Sequence, residues 1–466
     1  MSGRLDEASR VRLLHHSAAA LYFLGAPLFD GVICPFRRTA PIRPPMSASD
    51  PSSTPSLVSR WPRSMRALAH RNFRFYFLGH AVSILGSWIQ QVALSWLVYR
   101  LTGSAALLGV TAFCALIPQL LIGPLAGAWI DKQDKKKWLI GVQSLLAVQA
   151  FGMAALTVLD WVGTPLIVSM SLMLGVLNSF DTPLRQSLIN SFVGRLEDLP
   201  NALALNAMLF NASRFVGPPL AGLLLGISSE SACFAINGLS FVALIVGLVR
   251  IRSTPPARAK GSMGEVFREG VGYLWHTWPV RMLIVTLAVV NLTASAYAVL
   301  LPIFARDIFG GDARTLGMIW GAAGCGAFVA TILLAHTRQV RALVTTVVGG
   351  AAASAVSLIV FALAGSLPLA MLAMAGVGFG ISISNVAINM LLQSMAPERL
   401  RGRVVSFFSS TRFGFDALGG LIAGFLAAGL GAGRTLLIEG VVLAAFLGVV
   451  LSRRRRLFDD VTALHP

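Results

Sequence analysis

The stretch Gly127-Ala-Trp-Ile-Asp131-Lys132-Gln-Asp134-Lys135-Lys136-Lys137 separates two long apolar runs, at about 104–130 and 138–159. It holds two carboxylates and four lysines, and charges at this density are too costly to place in the hydrocarbon core of a bilayer. The turn must therefore lie in water. Because both neighbouring runs are long enough to span a membrane, each is predicted to end at a membrane surface beside this turn.

The composition of the whole chain supports a membrane protein. Of its 466 residues, 55% are hydrophobic and only 12% are charged, whereas a soluble globular protein has about 25% charged residues. The mean hydropathy is +0.73. So few charges cannot cover a water-facing surface of this size, and we expect lipid to cover much of the protein.

Apolar runs of membrane-spanning length recur at regular intervals. They predict twelve helical spans, at about 74–99, 104–130, 138–159, 164–184, 201–226, 231–250, 280–305, 315–336, 340–364, 367–393, 404–429 and 433–452. A polar cytoplasmic loop, 253–279, divides them six and six, and its later part is predicted to form an amphipathic helix on the membrane surface. The predicted fold is an all-α membrane protein of two parallel six-helix bundles, 69–252 and 280–452.

Both ends of the chain are polar. Residues 1–68 are predicted to be a disordered cytoplasmic extension, in which Met46 or Met65 could replace Met1 as the translation start. Residues 453–466 are predicted to be a basic cytoplasmic tail. Lysines and arginines are concentrated in alternate loops, which places those loops and both termini in the cytoplasm.

The net charge of +18 would suit a nucleic-acid partner, but the basic residues lie between apolar runs, as the orientation rule for membrane proteins requires. We therefore predict no nucleic-acid partner, and expect Lys135–Lys137 to bind anionic lipid headgroups. The four cysteines share no spacing typical of metal sites, and no metal or cofactor is predicted.

An internal repeat supports the division into halves. The fifth predicted span contains Ser213-Arg214-Phe215-Val-Gly-Pro-Pro-Leu220-Ala-Gly222, and the eleventh contains Thr411-Arg412-Phe413-Gly-Phe-Asp-Ala-Leu418-Gly-Gly420. The Arg-Phe pair, the leucine and the final glycine align without a gap. The pattern indicates two six-helix halves related by an axis along the membrane normal.

Several motifs resemble those of the major facilitator superfamily of transporters. The Gly127-x-x-x-Asp131-Lys132 turn resembles its signature loop, although Asp134 stands where the loop usually has glycine. The segments Asn72-Phe73-Arg74, Gly86-Ser-Trp88-Ile-Gln90-Gln91 and Phe180-Asp181-Thr-Pro183-Leu-Arg185 are similar to the enterobactin-exporter and macrolide-efflux branch. The resemblance covers about residues 70–430.

This resemblance implies a monomeric carrier in a bacterial inner membrane that works by alternating access. It also implies a conformational gate that locks the halves together in the outward-facing state. The corresponding gate residues are Gly127, Asp131, Lys132, Lys136, Lys137, Asp181 and Arg185.

The fifth span resembles the antiporter motif of the same superfamily, which marks exporters. The matching positions are Ala204, Ser213, Gly217, Pro218, Ala221 and Gly222, and three of the family glycines are Ala, Ser and Ala here. Ordinary close packing of small residues is the alternative interpretation. Pro218 removes a backbone donor and is expected to kink the helix.

Charged residues inside predicted spans need a partner or a purpose. Asp416 is the candidate proton carrier, with Arg412 four residues earlier on the same helix face and Arg214 in the fifth span. A permanent Arg412–Asp416 pair that only fixes packing is the alternative. Glu439, near the outer end of the last span, is expected to be solvated.

A substrate cavity is expected between the two halves, lined by amides and aromatic rings that suit an amphipathic ligand. Its candidate residues are Trp88, Gln90, Gln91, Trp96, Asn178, Asn291, Tyr297, Asn385 and Asn389. The predicted function is proton-coupled export of an amphipathic drug or siderophore. Uptake of a metabolite by the same fold is the main alternative, and a polytopic membrane enzyme or a passive channel fits the sequence less well.

Overall fold

The computed structural model describes residues 62–130, 133–251, 272–334 and 340–463. All regular secondary structure in these residues is helical, and ten of their helices are long and apolar enough to cross a membrane. In chain order the helices are α1 Arg71–Thr102, α2 Ala105–Leu121, α3 Gly123–Ile130, α4 Lys135–Val158, α5 Thr164–Phe192, α6 Leu199–Ile227, α7 Glu230–Val249, α8 Trp278–Ala294, α9 Tyr297–Ile303, α10 Ala313–Leu334, α11 Val340–Ala362, α12 Leu367–Met395, α13 Glu398–Leu430, α14 Ala432–Ser452 and α15 Arg454–Ala463. The all-α membrane fold is confirmed.

Ten of the twelve predicted spans coincide with these ten long apolar helices, one of which, Trp278–Ile308, comprises α8, α9 and the turn that follows α9. At the place of the second predicted span the chain forms two helices, α2 and α3, with a break at Ile122. The fifth predicted span is α6, which is long but interrupted by polar residues, among them Asn206, Asn211 and Arg214, and is not one of the ten. Length and composition alone therefore account for ten spans.

The seventh predicted span is also irregular. Helix α8 ends at Ala294, α9 begins at Tyr297, and a π-helical turn, Phe304–Ile308, continues α9. The break leaves Ser295 and Ala296 outside the regular helices. Such interruptions are tolerated in membrane spans where neighbouring helices or side chains satisfy the freed backbone groups, and π-turns are frequent at functional sites.

Parts of the predicted flanks pack against the bundles. A 3₁₀ helix, Arg63–Ala69, precedes α1, and the backbone N–H of its buried Ala67 donates to the Asn201 side chain over 2.9 Å. At the other end, α15 buries Leu457 and Val461. The predicted extension and tail thus overlap with packed structure, whereas residues 1–61 and most of the predicted surface helix lie outside the described residues.

Helices α1–α7 and helices α8–α15 form two groups that meet mainly along two pairs, α2 with α13 and α6 with α10. Glycines allow both approaches. A Cβ on Gly222 of α6 would lie 3.0 Å from the Gly317 Cα of α10, and a Cβ on Gly109 of α2 would lie 3.1 Å from the Gly424 Cα of α13. Backbones this close exclude any larger side chain at the crossing.

The two ends of the bundle differ in how their cores are built. We define the basic end as the end that carries Arg71, Lys135, Arg195 and Arg453, and the other as the opposite end. At the opposite end one buried cluster joins both halves, from Leu97 and Leu108 to Phe304 and Trp320. At the basic end each half has its own cluster among the described residues. Among the described residues, the halves therefore share a buried core at the opposite end and not at the basic end.

Candidate functional site

Polar contacts between the halves accompany the shared core at the opposite end. The Tyr99 hydroxyl at the end of α1 donates to the Asp307 carboxylate in the π-turn, and the Arg306 guanidinium lies 5.9 Å from the centre of the Tyr99 ring. Arg314 of α10 donates to the Gly226 carbonyl oxygen of α6 over 3.0 Å. We call this group of contacts the outer latch. These contacts join the two halves at this end.

A polar cluster lies deeper in the bundle, where α6 of one half faces α12 and α13 of the other. Arg214, Arg412 and Asp416 interact electrostatically with one another, and Ser295 from the α8–α9 break lies beside the Asp416 carboxylate. Arg214 Nη1 also lies 3.4 Å from Ser382 Oγ of α12. The three predicted proton-coupling candidates are thus brought together, and we call them with Ser295 and Ser382 the central cluster.

The central cluster is not internally satisfied. The buried Nε atom of Arg412 and the buried Oδ1 atom of Asp416 have no hydrogen-bond partner, so these two atoms do not bond to each other. The Arg412 guanidinium instead lies 5.4 Å from the centre of the Phe413 ring. Unmade hydrogen bonds at buried charged groups are costly, so the cluster is suited to receive a further polar group.

Two predicted cavity residues flank this cluster. The Asn291 and Asn385 side chains, both buried, bond to each other over 3.1 and 3.2 Å between α8 and α12. Ser295 Oγ lies 3.5 Å from the Asn291 amide oxygen, which connects the amide pair to the cluster. Both amides belong to the C-terminal half and fix its helices next to the central cluster.

The other cavity candidates are dispersed. Trp88 packs on Gly217 and meets Trp320 edge-on at 6.4 Å, so it belongs to the contact between the halves. Trp96 and Tyr297 pack in the shared core. Asn178 and Asn389 are half-buried, and Gln91 is exposed.

Gln90 lies inside the N-terminal half, away from the junction with the other half. Only 2% of it is exposed, and it bonds to Gln149 over 3.0 Å and to Asn237 over 2.7 Å. These contacts tie α1, α4 and α7 together. The Gln90 amide therefore contributes to packing within one half. The sequence does not separate this role from a cavity role, because Gln90 and Gln91 are adjacent and of the same type.

Two of the predicted gate residues, Asp181 and Arg185, belong to a buried network within the N-terminal half. Asp181 and Arg185 of α5 are joined over 2.6 Å, the Gln143 amide donates to Asp181, and Arg185 contacts the His80 ring. Lys136 donates to the Ile251 carbonyl oxygen, and Lys137 lies 3.7 Å from Asp134. Gly127 lies in α3, whereas Asp131 and Lys132 fall outside the described residues.

The antiporter-like positions lie along α6, which runs through Pro218 and Pro219 as one helix. Ser213, Gly217, Pro218, Ala221 and Gly222 are buried, and Ala204 is half-buried. The face that carries Gly217 and Gly222 is the one that packs on α1 and on α10 of the other half.

Sequence reasoning missed the outer latch and misplaced one carboxyl group. Nothing local in the sequence pairs Tyr99 with Asp307, since the two meet only when the halves pack. Glu439 was expected to be solvated, and this is wrong: it is 6% exposed and its Oε2 atom has no partner, because α14 turns it toward neighbouring helices. Among the described residues, no group of three or more His, Cys, Asp or Glu could hold a metal ion.

Residues 63–463 match a protein family described as transmembrane secretion effector, which is part of the major facilitator superfamily. The chain belongs to this family. Its relatives include the multidrug efflux pump Tap of Mycolicibacterium fortuitum, 26% identical over 80% of this chain and 93% of Tap. The enterobactin exporter EntS of Shigella boydii serotype 4 is 25% identical over 84% of this chain and 96% of EntS.

The staphyloferrin A transporter of Staphylococcus aureus is 26% identical, and the aligned residues cover 56% of this chain and 66% of that transporter. Solved structures share the fold at low identity. A bacterial homologue of the human lysosomal transporter Spinster, in an inward-facing and occupied conformation, has a TM-score of 0.62 at 12% identity, covering 84% of this chain and 96% of that one. The nucleoside transporter NupG has a TM-score of 0.62 at 15% identity, and the match covers 83% of this chain and 98% of NupG. This secretion effector therefore has the major facilitator fold.

Proposed function

We propose that this secretion effector exports an amphipathic small molecule across a bacterial inner membrane by alternating access. The observation that carries the proposal is the central cluster, which contains side chains of both halves and lies between a packed end and an end with separate cores. A carrier needs such a site, which rocking of the two halves exposes to one side at a time. The names of Tap and EntS support export as the direction.

The orientation follows from charge. We propose that the basic end is cytoplasmic, because lysines and arginines of short loops remain on that side of the membrane. Both chain termini then lie in the cytoplasm, and the structure corresponds to the inward-open state. An exporter loads its substrate in this state, and the outer latch prevents escape to the far side during loading.

The proposed energy source is the protonmotive force, whose two components are the membrane potential and the pH gradient. Moving one charge through the membrane supplies about 2.3 kcal/mol per 100 mV. A driving force of roughly 150 mV per charge thus supports a concentration ratio of about 300-fold, at about 1.4 kcal/mol per decade. The energy is adequate for an exporter that moves one charge per cycle.

Transport by inverted membrane vesicles tests this function. Vesicles that contain the protein should accumulate an amphipathic dye when energised and lose it when a protonophore is added, and vesicles without the protein should not accumulate it. Accumulation that survives the protonophore would end the claim of coupling to the protonmotive force. Dye accumulation in right-side-out vesicles would instead support the alternative of uptake.

A counterflow experiment in reconstituted liposomes separates a carrier from a channel. Unlabelled dye trapped inside should accelerate the entry of labelled dye, because a carrier returns faster when loaded. Entry that is unaffected by the trapped dye would indicate a passive pore and would contradict alternating access.

A further inference from the structure

We propose that the substrate of the central cluster is an anion whose acidic group is held between Arg214 and Arg412. This inference rests on the proposed function and names the class of substrate. Two guanidinium groups and one carboxylate, which interact with one another, give the cluster a formal net charge of +1. Asp416 and Arg214 are the charged groups that interact with Arg412. A net positive site in a water-poor region favours a negatively charged ligand.

The hydrogen-bonding state of the cluster agrees with its charge. Arg412 has an unused donor at Nε, and Arg214 makes only a long contact of 3.4 Å to the Ser382 hydroxyl. A guanidinium group is a planar fork of donors that matches carboxylate and similar acidic groups. An acidic substrate group would satisfy donors on both arginines and also balance their surplus positive charge, and an uncharged or cationic substrate cannot supply that charge.

The other charged residues of the spans do not offer an equivalent site. Arg185 is paired with Asp181 over 2.6 Å inside one half. Arg100 is paired with Glu230 over 2.6 Å at the opposite end. Only the central cluster, among the described residues, has two half-buried arginines of different halves facing one carboxylate.

The internal repeat explains why one arginine comes from each half. Arg214 and Arg412 occupy the same position in the repeated segments 213–222 and 411–420. Spans related by an axis along the membrane normal bring equivalent residues to opposite sides of that axis. An anion on the axis can therefore contact both halves and remain bound while they rock.

The charge of the site also identifies which part of the protonmotive force it uses. The unloaded site is positive and the site loaded with a monovalent anion is neutral, so a membrane potential that is negative inside drives the unloaded site back to the cytoplasmic side. Asp416 competes with the substrate for Arg412, so its protonation strengthens anion binding. Exchange against that proton is thus excluded as the source of energy for an anion, and the electrical component remains.

Binding of two matched probes to the full chain in lipid nanodiscs tests the charge preference. Anilinonaphthalene sulfonate and its uncharged parent, phenylnaphthylamine, differ by one sulfonate. We expect the wild-type protein to bind the sulfonate at least tenfold more tightly than the parent compound. Compared with the wild-type protein, Arg214→Gln and Arg412→Gln should bind the sulfonate about tenfold more weakly, and Asp416→Asn should bind it more tightly. Arg412→Lys should retain part of the preference. Arg195→Gln, at an exposed arginine of the basic end, is the control that removes one charge elsewhere.

The inference is overturned if the sulfonate binds no better than the parent compound, or if Arg195→Gln weakens it as much as Arg412→Gln does. Thermal unfolding of each variant shows whether it is folded. If Arg412→Gln does not fold, the Asp416→Asn variant provides the test. Weaker or unchanged binding of the sulfonate to Asp416→Asn would contradict the proposed competition between Asp416 and the substrate.

Transport in inverted vesicles separates this inference from the proposed function. Accumulation of the sulfonate should persist with nigericin, which removes the pH gradient, and stop with valinomycin and potassium, which remove the potential. Energised accumulation of the parent compound without preference for the sulfonate would support export and overturn the anion. Preferential binding of the sulfonate without any transport would overturn export and leave the charge preference intact.

Discussion

The Tyr99 hydroxyl donates a hydrogen bond to the Asp307 carboxylate, and this contact connects the first span of one half with the first span of the other. Both residues lie at the opposite end, next to the cluster in which the halves share one core. The bond has to break when the halves rock apart at this end. It therefore stabilises the state in which the opposite end is closed and contributes nothing once that end opens.

Replacing this hydroxyl should shift the balance between the two states. We expect Tyr99→Phe to weaken closure of the opposite end by about 1 kcal/mol, because the Asp307 carboxylate is exposed and solvent screens the bond. Distances between spin labels on the two halves at that end should then show a larger open population. Tyr273→Phe, which removes a 2.9 Å bond to the Met395 carbonyl oxygen at the basic end, is the matched control. Equal distance distributions for Tyr99→Phe and wild type would contradict the latch.

The glycine crossings should tolerate no side chain in this state. Gly222→Val would place its Cβ 2.7 Å from the Ala313 carbonyl oxygen. Gly109→Val would place its Cβ 2.8 Å from the Gly420 carbonyl oxygen. We expect both variants to be folded, to favour the outward-open state and to lose transport, because these backbone contacts form only when the opposite end closes. Gly152→Val, at a glycine with nothing within 4 Å of its added Cβ, should transport normally. Transport by Gly222→Val at the wild-type rate would exclude closure along α6 and α10.

The buried pair in α5 should matter more for stability than the pair at the membrane surface. Asp181→Asn leaves Arg185 without its counter-charge in a buried site, which typically costs about 3–5 kcal/mol. Arg100→Gln breaks a pair in which the Arg100 side chain is 47% exposed, and we expect a loss of about 1 kcal/mol or less. Thermal unfolding in detergent measures both, and similar midpoints for the two variants would show that the α5 network is not structural.

Helix α15 should stabilise the C-terminal half. Leu457 is 2% exposed and is part of the buried cluster of that half at the basic end. Leu457→Ser should cost about 2–3 kcal/mol through lost burial. Asp459→Ser, two residues later at an exposed position, should have little effect. An unchanged unfolding midpoint for Leu457→Ser would show that α15 is dispensable.

The sequence predicted the membrane fold because spanning a bilayer is a property of about 20 consecutive residues. The charged turn after Ile130 and the recurring apolar runs are sufficient to detect it. Two breaks within helical spans could not be predicted in this way. The break at Ile122 and the break at Ser295 leave the apolar run intact, since side-chain hydropathy does not register a change in backbone geometry.

The candidate site was predictable in part. Arg214, Arg412 and Asp416 were identified because charge in an apolar span is rare and costly. The sequence spacing placed Arg412 and Asp416 on one helix face, but their unpartnered Nε and Oδ1 atoms show that a shared face does not ensure a bond. The sequence likewise could not separate Gln90, which is bonded inside one half, from residues at the junction of the halves.

By itself the sequence determined that lipid surrounds this chain and that its basic residues lie in alternate loops, and it predicted two related sets of six spans. The tertiary structure decided which end is closed, which polar groups meet there, and that one arginine of each half faces the same carboxylate. The physical reason is that hydropathy acts on each segment separately. Contacts between the halves depend on their relative tilt, which one sequence must allow in more than one state.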